Sequence, residues 1–157
     1  MTRLQRNSAA ADLANLDSHV GYMLRQAQLA VFEDFIASQR GAAFRPGQFS
    51  IMAVIGKNPG LSQTQVCTAL GIKRANLVAA IDTLESLGLV RRDASATDRR
   101  SNRLHLTPVG QRALQAALDD QAQHEARITR LLGAAGRRIL LKQLAKLCEL
   151  RKTRSSV

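Results

Sequence analysis

Aromatic side chains are scarce in this sequence: one Tyr, four Phe and no Trp among 157 residues. Proteins that read single strands stack bases on such rings, so that mode of nucleic-acid recognition is disfavoured. The two cysteines, Cys67 and Cys148, are too few for a disulfide framework. No apolar run approaches the roughly 20 residues that span a bilayer, and no basic stretch leads into a long apolar run as in a signal peptide. These absences set the expectation of a cytoplasmic protein without a membrane partner. Acidic residues are also few, 12 against 23 Lys and Arg, for a formal charge of +11. Such an excess favours an anionic partner, and without stacking rings duplex DNA ranks ahead of RNA. A generically basic protein with a solvated positive face is the bland alternative.

Hydrophobic residues make up 45% of the chain, enough for a real core. The length fits one compact domain, with at most a small appendage. Residues 1–14 are small and polar and read as a loose arm. From about Asn15 to Ser38, Leu16, Val20, Met23, Leu24, Ala27, Val31 and Phe35 recur at helical spacing, and Gly41 breaks the pattern. Pro46 sits at a first helical position, followed by Phe49, Met52 and Ile55, and Asn58-Pro59-Gly60 marks a stop. Ser62-Gln63-Thr64-Gln65 has the form of a capping box opening a helix to Leu70, and Gly71 supplies a turn. A second helix, from about Lys73 to Leu87, turns Leu77, Ile81 and Leu84 inward. Two short helices joined by a Gly-containing turn are the helix-turn-helix plan. Leu89 to Arg92 and Arg103 to Leu106 then read as two short strands, joined by a polar, Arg-rich loop that forms a wing. Thr107-Pro108 opens a long helix to about Leu132, Gly133 and Gly136 interrupt it, and a last helix follows.

Leu70-Gly71-Ile72, Leu84-Glu85-Ser86-Leu87-Gly88-Leu89-Val90-Arg91-Arg92, Asp98-Arg99-Arg100 and Leu106-Thr107-Pro108-Val109-Gly110 follow in order. With Val20-Gly21-Tyr22-Met23-Leu24-Arg25 upstream, this series resembles the MarR family of transcriptional regulators from about residue 16 to residue 150. The resemblance implies a mainly α fold: a winged helix-turn-helix lobe over 45–106, and an intertwined dimer body from helices in 15–44 and 107–157. It also implies a small-molecule pocket between body and lobes. An independent argument supports the homodimer, because apolar helix faces at both ends of the chain need more surface than one small lobe offers.

The start of the second helix of such a motif meets base edges in the major groove. Here that start is Lys73, Arg74, Ala75 and Asn76. Arg74 suits guanine O6 and N7, Asn76 suits adenine N6 and N7, and Ala75, Val78 and Ala79 offer an apolar strip for thymine methyls. Two departures from the family stand out. Lys73 replaces the common capping Ser or Thr, leaving amides that a phosphate can satisfy, and Ala79 replaces a longer polar residue. Ser62 and Gln63, at the head of the preceding helix, are expected among the DNA contacts. In the wing, Arg100 matches the family residue that enters the minor groove, with Asp98 holding it. Arg91, Arg92, Arg99 and Arg103 are expected to clamp phosphates, which adds affinity without sequence information.

For an effector, His19, Tyr22 and Arg25 on the first helix and Phe49 and Met52 on the second suit a small aromatic carboxylate. Ordinary interface and surface roles for these residues are the equal alternative. Cys67 is expected to be inert packing, and His19, His105 and His124 are too scattered for a metal site, so neither metal nor cofactor is expected. No phosphate loop or nucleophile motif points to an enzyme. The expected function is therefore a sequence-specific repressor, released from a two-fold operator by a small molecule. A sequence-neutral architectural DNA protein is the rival.

Overall fold

The computed structural model describes residues 14–40, 44–94 and 102–150. The elements in order are α1 (Val20–Ser38), α2 (Pro46–Lys57), β1 (Leu61–Ser62), α3 (Gln63–Leu70), α4 (Arg74–Ser86), β2 (Val90–Ala94), β3 (Asn102–Leu106) and α5 (Pro108–Cys148). A 3-10 turn, Leu16–Ser18, precedes α1. The chain falls into two compact units, Met1–Asp34 and Phe35–Val157.

In the first unit the turn is tied to Asn15, whose carbonyl accepts from Ser18 Oγ at 2.8 Å and lies 3.0 Å from His19 Nδ1. The apolar stripe read from the sequence is present but uncovered in the single chain, as Val20, Met23, Leu24 and Val31 are all exposed.

The second unit holds the core. Pro46 starts α2, and Gln48 Oε1 accepts from the Arg45 amide at 3.0 Å, satisfying a donor at the helix entry. The inward face of α2 (Ile51, Met52, Ile55) meets Val66 of α3 and Leu77, Ile81 and Leu84 of α4. The spacing of the last three is one helical face, as the sequence pattern requires. Each fully buried aliphatic chain stabilises by roughly 1.5–3 kcal/mol relative to exposure. Val90, Leu104 and Leu106 close the core from the sheet, and Leu114 and Ala117 close it from α5.

The sheet departs from expectation in one respect. Its order is β1-β3-β2, all antiparallel, so the wing is three-stranded where two strands were expected. Leu61 pairs with Leu104 and Ser62 with Arg103, because the stop at Asn58-Pro59-Gly60 turns the chain alongside β3. The Gly60 amide donates to the Leu104 carbonyl at 3.0 Å. A two-residue strand leaves no alternation to detect in sequence. β2 also runs further than expected, to Ala94, with Val90 opposite Leu106 and Arg92 opposite Leu104.

Thr107 joins three elements. Its Oγ1 donates to the Gly88 carbonyl at 2.6 Å, its amide donates to the Leu89 carbonyl at 3.0 Å, and it caps α5 by accepting from the Gly110 amide at 2.9 Å. α5 breaks once, at Gly133 (φ 70°, ψ 155°), a backbone state that a Cβ would strain. Gly136 remains helical, so the second expected interruption is absent. No helix among the described residues is long and apolar enough to cross a membrane.

Candidate nucleic-acid interface

The helix-turn-helix is assembled as its local chemistry dictates. Ser62 Oγ accepts from the Gln65 amide at 3.3 Å while Gln65 Oε1 accepts from the Ser62 amide at 2.8 Å, a reciprocal cap on α3. Gly71 (φ 61°) closes the helix in the left-handed region, and the Ile72 amide returns to the Cys67 carbonyl at 3.1 Å. Cys67 is half-buried against the core, as its place in the motif suggests. Cys148 is exposed in the single chain, at the end of α5.

α4 begins at Arg74, and Lys73 before it gives the first turn no side-chain cap. Leu77 is fully buried and sets the helix's rotation. Lys73, Arg74, Ala75, Asn76 and Ala79 are then exposed, with Val78 half-buried. Among the described residues neither Arg74 nor Asn76 has a side-chain hydrogen bond or ion pair, so both polar ends are open to a ligand. Ser62 and Gln63 are half-buried at the head of α3.

The wing arginines differ sharply in what they touch. Arg91 is exposed and ion-paired with Asp93 on its own strand, and His105 Nε2 lies 3.6 Å from the same carboxylate. Arg103 donates to the Gly60 carbonyl at 3.3 Å and is half-buried. Arg92, expected on a phosphate, is engaged within the lobe: Nη1 meets Glu85 Oε2 at 2.5 Å and Nη2 meets Asp82 Oδ1 at 2.5 Å. Its guanidinium is thus occupied by two carboxylates of α4. The acidic pair three residues apart on α4, followed by an Arg on the next strand, was the signal that sequence reasoning missed. Asp98, Arg99 and Arg100 lie outside the described residues.

Of the expected effector contacts, His19 and Arg25 are exposed and Tyr22 is half-buried in the first unit. In the second unit Phe49 is half-buried, its ring centroid 5.5 Å from that of Phe35. Phe35 in turn meets the buried His124 edge-on at 5.7 Å. Met52 is completely buried, so ligand contact there requires the core to open. Two polar groups, Asp120 and His124, share the buried face of α5. Asp120 accepts from the Arg40 amide at 2.9 Å, and His124 follows one turn later. A separate cavity of about 410 Å³ opens between α2, the end of β3 and α5, lined by Ala53, Lys57, Leu106, Gln111, Leu114 and Leu118 among others. No group of metal-ligating side chains occurs among the described residues.

The chain is similar to known proteins in sequence and fold. A family model described as the MarR family matches residues 44–101. A protein of Thauera aromatica, described as a candidate transcriptional regulatory protein for the hcr operon, is 36% identical over 78% of each chain. Among solved structures, the transcriptional repressor CouR bound to a 23-mer DNA duplex matches with a TM-score of 0.82 and 42% identity, covering 89% of this chain and 99% of that one. CouR bound to p-coumaroyl-CoA matches with a TM-score of 0.82 and 39% identity, covering 88% of this chain and 98% of that one.

Proposed function

The chain belongs to the MarR family of DNA-binding transcriptional regulators, and from that premise we propose a homodimeric repressor that an aromatic acyl effector releases from a two-fold operator. The observation that carries the proposal is the likeness, across nearly the whole CouR chain, to a repressor seen both on DNA and with p-coumaroyl-CoA. Its site of action is the cytoplasm, and no catalytic role is assigned to any residue.

On DNA, α4 enters the major groove. Arg74 reads a guanine, Asn76 an adenine, and Ala75, Val78 and Ala79 pass thymine methyls. Lys73 and the uncapped first turn take a phosphate, since free amides at a helix start form an anion site. Ser62, Gln63, Arg91 and Arg103 hold the backbone. Arg100 enters the minor groove with Asp98 holding it, and Arg99 clamps a phosphate. In the dimer a second copy covers apolar side chains that the single chain leaves bare, among them Leu131 at 84% exposure and Ile139 at 60%. The dimer body then comprises 15–44 and 107–157, and the lobe comprises 45–106.

His19, Tyr22, Arg25 and Phe49 are retained as candidate effector contacts. The cavity beside Lys57 is a further candidate, its volume within the range of about 300–1,000 Å³ usual for small-molecule sites. An effector acts only if it binds a non-DNA spacing of the two lobes more tightly than the DNA-bound one. Recognition helices must sit about 34 Å apart to enter successive grooves.

Fluorescence anisotropy tests the proposal, using a duplex from upstream of the protein's own gene and a scrambled duplex at about 0.15 M salt. A self-regulating repressor prefers the former by a factor of ~10³ or more. Equal, weak binding to both, and also to duplexes selected from random DNA, would favour the architectural rival. Adding p-coumaroyl-CoA, and separately p-coumarate, then asks which acyl form weakens binding. Release by neither rejects the effector class and leaves the repressor standing.

A further inference from the structure

We propose that Arg92 is a positioning residue: it locks the wing to the recognition helix, and so contributes to DNA specificity without touching DNA. The proposal rests on the DNA-binding reading and goes beyond it.

Asp82 and Glu85 lie three residues apart on α4, which places them on one face of the helix. Arg92 sits on β2 and reaches both, Nη1 to Glu85 Oε2 and Nη2 to Asp82 Oδ1, each at 2.5 Å. A planar guanidinium with several fixed donors can serve two carboxylates at once, which an ammonium cannot do with the same geometry. The main chain takes part as well, since the Arg92 amide donates to Glu85 Oε1 at 3.2 Å. Glu85 therefore holds both the side chain and the backbone of the strand. Across the sheet Arg92 stands opposite Leu104, which is fully buried, so the clasp joins α4 to the part of the wing that is fixed in the core.

Neighbouring residues do not duplicate this link. Arg91 points to the other face of the strand and pairs with Asp93 on β2 itself. Arg92 is 20% exposed at its side chain, against 54% for Arg91, and is the less available of the two to a phosphate. On the DNA-binding reading the base-reading residues begin α4, and Arg100, assigned to the minor groove, follows β2 in the sequence. Their relative position on one duplex thus depends on how β2 is held against α4.

The clasp makes a prediction opposite in sign to simple electrostatics. Carboxylates on a DNA-reading helix repel phosphates, so neutralising one should by itself strengthen binding. If Arg92 were a phosphate contact held back by its acids, Glu85→Gln would free it and strengthen binding further. Positioning demands the reverse for the correct sequence.

The experiment uses the full chain, with one duplex selected from random DNA by the native protein and one scrambled duplex. Glu85→Gln and Asp82→Asn are expected to weaken binding to the selected duplex by about tenfold, which is about 1.4 kcal/mol. Binding to the scrambled duplex should hold or strengthen, so specificity falls where a folding defect would lower both affinities. The salt slope should stay unchanged, whereas a lost phosphate contact lowers it by about 0.9. Arg92→Lys should behave like Glu85→Gln. Full rescue by Lys, stronger binding of Glu85→Gln to the selected duplex, or a slope reduced by one contact in Arg92→Met each overturns the proposal. Hydrogen exchange on DNA-free protein supplies a separate arm. Glu85→Gln should speed exchange of the Arg92 amide while the amides of Leu77 and Ile81 keep their protection, and unchanged Arg92 exchange refutes the clasp. A native protein that discriminates between no duplexes overturns the DNA reading and the specificity claim with it, while the exchange arm still reports on the clasp.

Discussion

Arg137 reaches back across the break in α5 to Glu125, its Nη2 2.6 Å and its Nε 3.2 Å from Glu125 Oε2. Gly133 lies between them, so the pair spans the one break in that helix. Both side chains are about a third exposed, and a pair this open contributes little to stability, about 0–1 kcal/mol. Bridging the break, it is expected to bear on the angle between the two halves of the helix. Arg137→Met should therefore shift the melting temperature by no more than about 4 °C. In a dimer built on the C-terminal half, the same change should alter the half-site spacing preferred in selection from random DNA. Thermal unfolding alongside operator selection tests both parts, and unchanged spacing would refute the second.

Arg74 and Asn76 project from α4 with no partner among the described residues, so truncation should leave the fold intact. Each substitution to Ala should cost roughly 1–3 kcal/mol of discrimination at one base pair of the operator. A panel of single-base operator variants, read by anisotropy, checks this. Loss spread evenly over all duplexes would mark a phosphate contact instead.

A methyl group at Gly110 would fall 1.9 Å from the Leu89 carbonyl oxygen, which is backbone and cannot swing aside. Gly110→Ala must push α5 away from the end of the α4–β2 connection. The expected cost is about 1–3 kcal/mol, or more where the Thr107 bonds are also lost. Calorimetry should show a clear fall in melting temperature, and an unchanged value would mean that the seam is softer than its geometry indicates.

Effector response should separate from DNA affinity. Tyr22→Phe and Arg25→Ala leave the α4 surface untouched, so each should keep native affinity for the operator duplex. If these side chains hold the effector, each should raise by about tenfold the concentration that releases DNA, the weight of one good polar contact. Equal release curves for native and variant proteins would move the effector to the cavity beside Lys57.

The elements most legible in the sequence were those with a strong local cause. Ser62 and Gln65 announced a reciprocal cap, Thr107-Pro108 announced α5, and the spacing of Leu77, Ile81 and Leu84 announced the face of α4. What escaped notice depends on tertiary partners. β1 is only two residues long and exists because β3 passes beside it. Arg92 looked like its neighbour Arg91 in a basic run, and only the return of β2 against α4 separates their roles. Met52 carried the right chemistry for a ligand wall, yet the packing of α2 put it wholly inside. Of the three glycines in α5, Gly133 breaks it while Gly110 and Gly136 do not, a difference that composition alone cannot carry.

Lys73 leaves the first turn of α4 without a side-chain cap, while Ser62 closes the start of α3 in full. Helix ends without caps open more readily than helix interiors. The residues proposed to meet bases thus sit on a turn that no side chain caps. A phosphate docked there would act as the missing final piece of the helix, so folding of that turn and recognition of DNA become a single event. Operator binding should then slow amide exchange at Ala75 and Asn76 far more than at Leu84, as though the DNA were part of the protein's own secondary structure.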